Sequence, residues 1–228
     1  MKRTLFAAIA ILTCSCGTTR TSGFFIGPTV GAAPPGEEAP DVRFRQTAVT
    51  DSIINCSFSS VLDAPFGADC PFQVYGGELH VTNASSPSPV LLLSTASLEA
   101  DGIVEAEFDI ERGPSHAVVG LVLRAEDERS FLLAGANSRG QYTVQYCLRG
   151  MWLPVMGLDA FEESRLIPFD PGSLVITAEV HGSYVDLSVN GQLIQVVRCD
   201  MPATGQAGVF VDSYMDALVD RFSVVPLS

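Results

Sequence analysis

Residues 174–194 have the sequence LVITAEVHGSYVDLSVNGQLI, and this stretch decides the fold class. Apolar side chains occupy alternate positions in residues 174–180 and again in residues 185–189. Alternate side chains of a β-strand share one face, so a period of two predicts strands with one buried face. The pair Asn190-Gly191 separates the second run from a third, and it supplies the two positive-φ residues of a type I′ turn. The stretch therefore predicts antiparallel strands joined by a hairpin.

The same period extends outward from this stretch. It recurs in residues 103–111 (IVEAEFDIE), and Ser138-Arg139-Gly140 predicts a second hairpin between strands at residues 130–136 and 141–148. About a dozen short runs, separated by Gly, Pro, Asn, Asp or Ser, follow residue 43, and none has a convincing helical period. We predict an all-β fold over residues 43–228, namely an antiparallel β-sandwich of the jelly-roll type.

Composition limits the function classes. The chain has 228 residues, of which 47% are apolar, and 13 Lys+Arg against 26 Asp+Glu give a net charge of −13. The apolar fraction excludes a wholly disordered protein. The negative charge repels phosphate backbones, so we expect no nucleic-acid partner.

The N-terminus has the features of an export signal. Two basic residues precede a short apolar run at residues 5–13 (LFAAIAILT), which is too short to span a bilayer. Cys14-Ser15-Cys16-Gly17 follows and resembles the lipobox of bacterial lipoproteins. We predict a signal peptide at residues 1–16 with lipidation at Cys16, with Cys14 as the alternative and plain secretion as the competing interpretation. Residues 17–42 are rich in Gly, Pro, Thr and Ala, which predicts a flexible tether.

The lipobox resemblance also implies a location. Neither Ser15 nor Gly17 is the Asp that retains enteric lipoproteins at the inner membrane. The resemblance therefore implies an exported protein held at the outer membrane or the cell surface. Its membrane contact would be through the lipid anchor alone.

Four cysteines lie in the predicted domain. An exported chain meets an oxidising environment, where an even number of cysteines indicates disulfides. Four cysteines allow three pairings, and we favour Cys56–Cys70 with Cys147–Cys199. Metal binding is the alternative, but the chain has no C-x-x-C spacing and its histidines are scattered, which argues against a zinc site.

Six segments from residue 103 onward occur in a recognisable order. They are residues 103–111 (IVEAEFDIE), 120–124 (GLVLR), 130–134 with 141–146, 150–152 (GMW), 185–191 (VDLSVNG), and 205–211 with 219–224. This order resembles the concanavalin A-like lectin/glucanase superfamily, in particular its laminin G-like and 3-keto-disaccharide hydrolase-like members in exported bacterial proteins. The resemblance implies a jelly-roll sandwich but little about activity.

The string Glu107-Phe108-Asp109-Ile110-Glu111 resembles the E-x-D-x-E signature of family 16 glycoside hydrolases. That resemblance implies Glu107 and Glu111 as nucleophile and acid/base, with Asp109 between them. A strand would place the three carboxylates on one face, where like charges raise a pKa. Against catalysis, Glu105 extends the same stripe, as a solvated face would, and the chain has a single Trp although sugar clefts use aromatic faces.

Three further candidates for ligand binding each have an ordinary structural interpretation as well. Trp152 could stack on a sugar ring, but a lone Trp after a hairpin more often packs under a loop. Arg124 could bind a carboxylate ligand, but pairing with local acids is the commoner role. Five loop carboxylates could ligate calcium through their oxygens, although surface loops of an acidic protein have the same composition. Those carboxylates are Asp127, Glu128, Asp159, Glu162 and Glu163.

Three functional hypotheses remain open. The first is a non-catalytic envelope module that binds glycan, or else protein. The second is a glycoside hydrolase that uses Glu107, Asp109 and Glu111. The third is a structural envelope protein that makes only protein contacts, for which an exposed apolar patch is expected.

Overall fold

The computed structural model describes residues 54–60, 64–66, 72–98, 101–169 and 172–227. The predicted signal peptide, both candidate lipidation cysteines and the tether lie outside these residues, as does Cys70 of the predicted Cys56–Cys70 pair. The described part of the chain contains no helix, and therefore no helix that could cross a membrane.

The described residues form fifteen strands, which confirms the predicted all-β class. They are β1 (Ile54–Cys56), β2 (Phe72–Tyr75), β3 (Glu78–Thr82), β4 (Val90–Leu98), β5 (Gly102–Arg112), β6 (Val118–Asp127), β7 (Ser130–Asn137), β8 (Gln141–Leu148), β9 (Met151–Pro154), β10 (Glu162–Glu163), β11 (Leu174–His181), β12 (Tyr184–Val189), β13 (Gln192–Arg198), β14 (Gly205–Val211) and β15 (Asp216–Pro226).

These strands make two antiparallel sheets. The eight-stranded sheet has the order β13-β12-β11-β5-β15-β3-β2, with β1 also paired to β15. The seven-stranded sheet has the order β10-β8-β7-β6-β14-β4, with β9 also paired to β8. Both predicted hairpins are present, because Asn190-Gly191 joins β12 to β13 and the turn ending at Gly140 joins β7 to β8.

The core lies between the inner faces of the sheets. Val104, Ala106 and Phe108 of β5 are fully buried, and Ala106 pairs with the buried Ile176 of β11. Phe222 of β15, which pairs with Ala106, is also fully buried. Truncating such a buried Phe to Ala typically costs about 3–5 kcal/mol, so these alternating positions hold the two layers together.

The seven-stranded sheet is apolar on its outer face as well. Six buried residues form a second apolar cluster there: Val122, Ala125, Phe131, Leu133, Cys147 and Phe210. Their neighbours Leu121 and Leu132 belong to the core between the sheets, so β6 and β7 bury both faces. Near-continuous apolar runs are typical of strands covered on both sides.

The predicted disulfide Cys147–Cys199 is wrong. Both thiols are free and buried. Cys147 belongs to the outer cluster of the seven-stranded sheet, whereas Cys199 belongs to the core. Side chains on opposite faces of a sheet cannot be bridged without moving the backbone. Next to Cys147, the partly buried Tyr146 packs against the core on the Cys199 side of β8.

Candidate functional site

The carboxylates that resemble a catalytic signature lie on the outer face of the eight-stranded sheet. Glu107 and Asp109 are partly buried there, and the Ser173 hydroxyl donates to Glu107 at 3.3 Å. The alternation of β5 ends at Phe108, and Glu111 is exposed where the pairing with β15 becomes irregular. Glu107 and Asp109 therefore lie together, whereas Glu111 falls outside the regular alternation that predicted a row of three.

Two further acids join Glu107 and Asp109 in a group that sequence spacing did not reveal. They are Glu78 of β3 and Asp220 of β15, and Asp220 sits at the irregularity between Val219 and Arg221. Burial, followed by the charges of Glu107 and Glu78, raises the pKa of Asp109. Burial, followed by the charge of Asp109, raises the pKa of Asp220. We call Glu78, Glu107, Asp109 and Asp220 the acidic group.

The charged and aromatic side chains around the acidic group contact partners of their own. Arg221 lies 2.8 Å from Glu105, which also accepts a bond from Thr177 at 3.0 Å. His80 Nε2 lies 3.3 Å from Glu78 Oε2, and the Tyr75 ring stacks on His80 with a centroid distance of 3.6 Å. Glu105 thus belongs to an ion pair, separate from the acidic group.

Trp152 packs against the outer apolar cluster of the seven-stranded sheet. Its ring meets Phe131 and Phe210 edge to face, with centroids 5.6 Å and 5.9 Å apart. It remains 42% exposed, and its β9 neighbours Met151 and Leu153 are exposed apolar residues. Aromatic pairs of this kind favour packing. The surroundings of Trp152 are thus those of a packing residue at the rim of an apolar surface.

Arg124 is buried and joins loops. Its guanidinium donates to the carbonyls of Met201 at 3.1 Å, Cys199 at 3.4 Å and Gly182. Among the described residues it forms no ion pair, so the pairing with local acids that we considered its commoner role is not observed. The backbone carbonyls that it binds belong to the β11–β12 turn and to the β13–β14 connection between the two sheets, so Arg124 fastens both to β6.

A cleft of about 600 Å³ opens beside the β7–β8 turn. One wall is the turn itself with Arg139 and Gln141, and the other wall is the segment 163–169. The Ser164 amide donates to the Gly140 carbonyl at 3.0 Å, and Glu163 pairs with Gln141. Ile167 is buried in the core and anchors the second wall. Hydrogen bonds and apolar packing thus position both walls.

The side chains at the cleft combine an aromatic face with polar groups. Phe169 is 78% exposed, Arg139 and Arg165 are exposed, and Gln141 and Ser164 are partly buried. Asn137 is buried beneath the turn, where its Oδ1 accepts bonds from the Arg139 amide at 3.0 Å and the Gln141 amide at 3.2 Å. Asn137 therefore fixes the backbone from which Arg139 and Gln141 extend.

The calcium candidates are divided between two places. Asp127 and Glu128 lie at the β6–β7 turn, whereas Asp159, Glu162 and Glu163 lie around β10. Within the described ranges, no three His, Cys, Asp or Glu side chains come together as metal ligands. The Glu162 carboxylate instead accepts a bond from the Asp159 amide at 2.9 Å.

The sequence indicated only one wall of the cleft, through the predicted turn at residues 138–140. Residues 163–169 (ESRLIPF) have no strand period, so nothing in the sequence placed them against β8. Arg165 and Phe169 were therefore missed, and Arg139 was placed in the predicted turn but not identified as a site residue.

Known structures with this architecture include glycan-related proteins. No family model and no curated protein matches the sequence. A protein of unknown function with a galectin-like fold from Bacillus subtilis aligns with a TM-score of 0.61 at 12% identity, covering 79% of this chain and 98% of that one. The carbohydrate-binding module CBM66 from Bacillus subtilis aligns with a TM-score of 0.57 at 16% identity, covering 68% of this chain and 91% of that one.

A putative glycosyl hydrolase from Parabacteroides distasonis also aligns, with a TM-score of 0.53 at 10% identity, covering 75% of this chain and 98% of that one. Likeness at such low identity concerns the fold, and fold does not determine activity. The chain shares the two-sheet sandwich fold of these structures, which agrees with the fold implied by the resemblance of its segments.

Proposed function

We propose that this chain is an exported, lipid-anchored envelope protein whose sandwich binds glycan in the cleft without cleaving it. The observation that carries the proposal is the exposed Phe169 beside Gln141 and Ser164. Sugar rings present C–H groups to aromatic faces and hydroxyls to polar side chains, and ligand clefts of about 300–1,000 Å³ usually combine both kinds of group. The likeness to a carbohydrate-binding module supports this interpretation.

The acids at the cleft support binding without cleavage. Glycoside hydrolysis usually requires two carboxyl groups flanking the scissile bond. Among the described residues that line the cleft, Glu163 is the sole carboxylate. Glu107, Asp109 and Glu111 belong to the other sheet and do not line it. A glycan held in this cleft would thus meet no catalytic pair from the described residues.

The binding test is a thermal-shift screen of the whole protein against soluble oligosaccharides. A ligand that binds only the folded state raises the melting temperature. We expect at least one oligosaccharide to do so, and we expect Phe169→Ala to abolish the shift. Tyr184→Ala is the matched control, because Tyr184 is an exposed aromatic residue on the eight-stranded sheet. A shift that survives Phe169→Ala, or no shift with any oligosaccharide, would overturn the proposal.

The anchoring part of the proposal rests on the lipobox resemblance at residues 14–17. Mass spectrometry of the N-terminal peptide from membranes should show a lipidated Cys16, and Cys16→Ser should release the protein from the membrane fraction. If Cys14→Ser releases it and Cys16→Ser does not, Cys14 is the lipidated residue. An unmodified peptide on a secreted protein would contradict anchoring altogether.

One observation favours a second function, contact with another protein. Exposed large apolar side chains are frequent between residues 148 and 161, in β9 and beside it: Leu148, Met151, Trp152, Leu153, Met156 and Phe161. Contiguous exposed apolar surface often marks an interface. Sedimentation of the whole protein over a range of concentrations would test self-association, with Met151→Ser and Met156→Ser together as the disrupting variant.

A further inference from the structure

The described arginines differ in whether their guanidinium groups bond to another residue. Of the eight arginines in the described residues, Arg112, Arg198 and Arg221 form ion pairs with carboxylates. Arg124 and Arg129 donate to backbone carbonyls. The guanidinium groups of the other three make no ion pair or hydrogen bond with any described residue; they are Arg139, Arg149 and Arg165.

Two of these three unpaired arginines line the same cleft. Arg139 extends from the β7–β8 turn and Arg165 from the opposite wall, although they are distant in sequence. Acids outnumber bases two to one in this chain, so a guanidinium finds a carboxylate partner easily. Glu163 lines the cleft too, yet neither arginine lies within ion-pair distance of it. The two guanidinium groups are therefore left available to a ligand.

We infer that the cleft takes an anionic saccharide, with Arg139 and Arg165 binding its carboxylate or sulfate group while Phe169 stacks on a sugar ring. This inference rests on the proposed glycan-binding function and names its ligand class. The planar guanidinium donates in a fixed fork that matches carboxylate and sulfate oxygens. Gln141 and Ser164 remain to bind the neutral hydroxyls.

The negative net charge of the chain does not prevent an anionic saccharide from binding to the two arginines. A net charge of −13 repels anions at long range, but salt screens exposed charges beyond about 10 Å at 0.1 M. Recognition then depends on the two arginines at close range.

Calorimetric titration of the whole protein tests the inference. The probes are galacturonic acid oligosaccharides, the same oligosaccharides after reduction of the carboxyl groups, and chondroitin sulfate oligosaccharides as the sulfated arm. We expect an anionic probe to bind at least about tenfold more tightly than the neutral one, which corresponds to about 1.4 kcal/mol. Raising the salt concentration from about 50 mM to about 500 mM should weaken the anionic probe selectively.

Arg139→Gln and Arg165→Gln should each remove most of that difference without changing the melting temperature, because neither guanidinium group bonds to any described residue. Arg149→Gln is the matched control, an unpaired arginine outside the cleft, and it should bind as the natural protein does.

Equal affinity for charged and reduced oligosaccharides would overturn the anionic class while leaving glycan binding intact. Failure of every probe in calorimetry and in the oligosaccharide screen would overturn both. Loss of binding in Arg149→Gln alone would also overturn the inference.

Discussion

The backbone amide of Ser164 donates to the carbonyl of Gly140 over 3.0 Å, and this bond ties the two walls of the cleft together. Gly140 has φ +75°, and a Cβ built on it would lie 3.1 Å from the Ile167 carbonyl oxygen. Glycine therefore serves two purposes here, since it allows the turn and it lets the segment 163–169 approach the turn closely.

Gly140→Ala should lower stability and abolish oligosaccharide binding. A left-handed backbone costs an L-residue about 1–2 kcal/mol, and the added methyl group pushes the second wall away. Gly191→Ala is the control, because Gly191 has φ +73° with open space around a Cβ. It should lose similar stability, measured by urea unfolding, and keep binding. Equal binding in the two variants would show that the close approach at Gly140 is unimportant.

Local periodicity predicted the central strands well. Every second residue of β5 from Val104 to Phe108 is buried, and the turn at Asn190-Gly191 joins β12 to β13. Both features depend on neighbours in sequence, which a single chain displays directly. The alternating residues of β5 then identify the face of the eight-stranded sheet that packs in the core.

Features that depend on pairing between distant strands were not predictable. The irregular pairing of β5 with β15 sets Glu111 apart from Asp109 and brings in Asp220, but spacing within residues 103–111 contains no trace of it. The face on which a cysteine lies depends on register, and a shift of one residue would have placed Cys147 toward the core. The second wall of the cleft could not be predicted for the same reason, because Glu163 lies beside Gln141 only through the pairing of β10 with β8.

Trp152→Ala should destabilise the fold without affecting oligosaccharide binding. Its ring packs against Phe131 and Phe210 on the outer apolar cluster but stays 42% exposed, so we expect a loss of about 1–3 kcal/mol in urea unfolding. Met151→Ala, at an exposed neighbour, should change stability by no more than about 0.5 kcal/mol. Loss of binding in Trp152→Ala at full stability would instead make Trp152 a ligand contact.

Cys147 and Cys199 should resist alkylation in the folded protein and react on unfolding without any reductant. Both are buried, and burial raises the pKa of the Cys147 thiol, which lowers the fraction of reactive thiolate. Iodoacetamide labelling followed by peptide mass spectrometry distinguishes the two states. If labelling of either residue required prior reduction, a disulfide would be present and the opposite-face arrangement would be wrong.

Asp109→Asn should stabilise the protein at neutral pH. Burial and the neighbouring Glu107 raise the folded-state pKa of Asp109 above the unfolded value, so its ionisation opposes folding. That cost is present above the folded pKa and disappears as the pH falls below the unfolded value of about 3.9. The melting temperature of the variant should thus exceed that of the natural protein at pH 7, and the two should converge on acidification. A constant difference across this range would mean that charge is not the cause.

Asp216→Asn should show the opposite pH dependence. Burial of Asp216 acts to raise its pKa, but the Ala84 amide, the Arg112 guanidinium and the Asn83 amide outweigh it, and the pKa is lowered. The Oδ1 atom accepts both amides at 2.7 Å, and Oδ2 lies 2.6 Å from Arg112 Nη2.

The ionised Asp216 therefore stabilises the fold above its unfolded pKa, and this stabilisation is lost as the pH falls through the lower folded value. Since bonds to a charged group contribute about 1.5–3 kcal/mol each, Asp216→Asn should be clearly destabilised at pH 7. Its deficit should shrink in acid, at lower pH than the range over which the advantage of Asp109→Asn disappears. Arg112→Gln separates the contributions, because it removes the guanidinium and leaves both amides. If Arg112→Gln destabilises as much as Asp216→Asn at pH 7, the stabilisation by Asp216 comes from its ion pair with Arg112 of β5 and not from the two amides that follow β3.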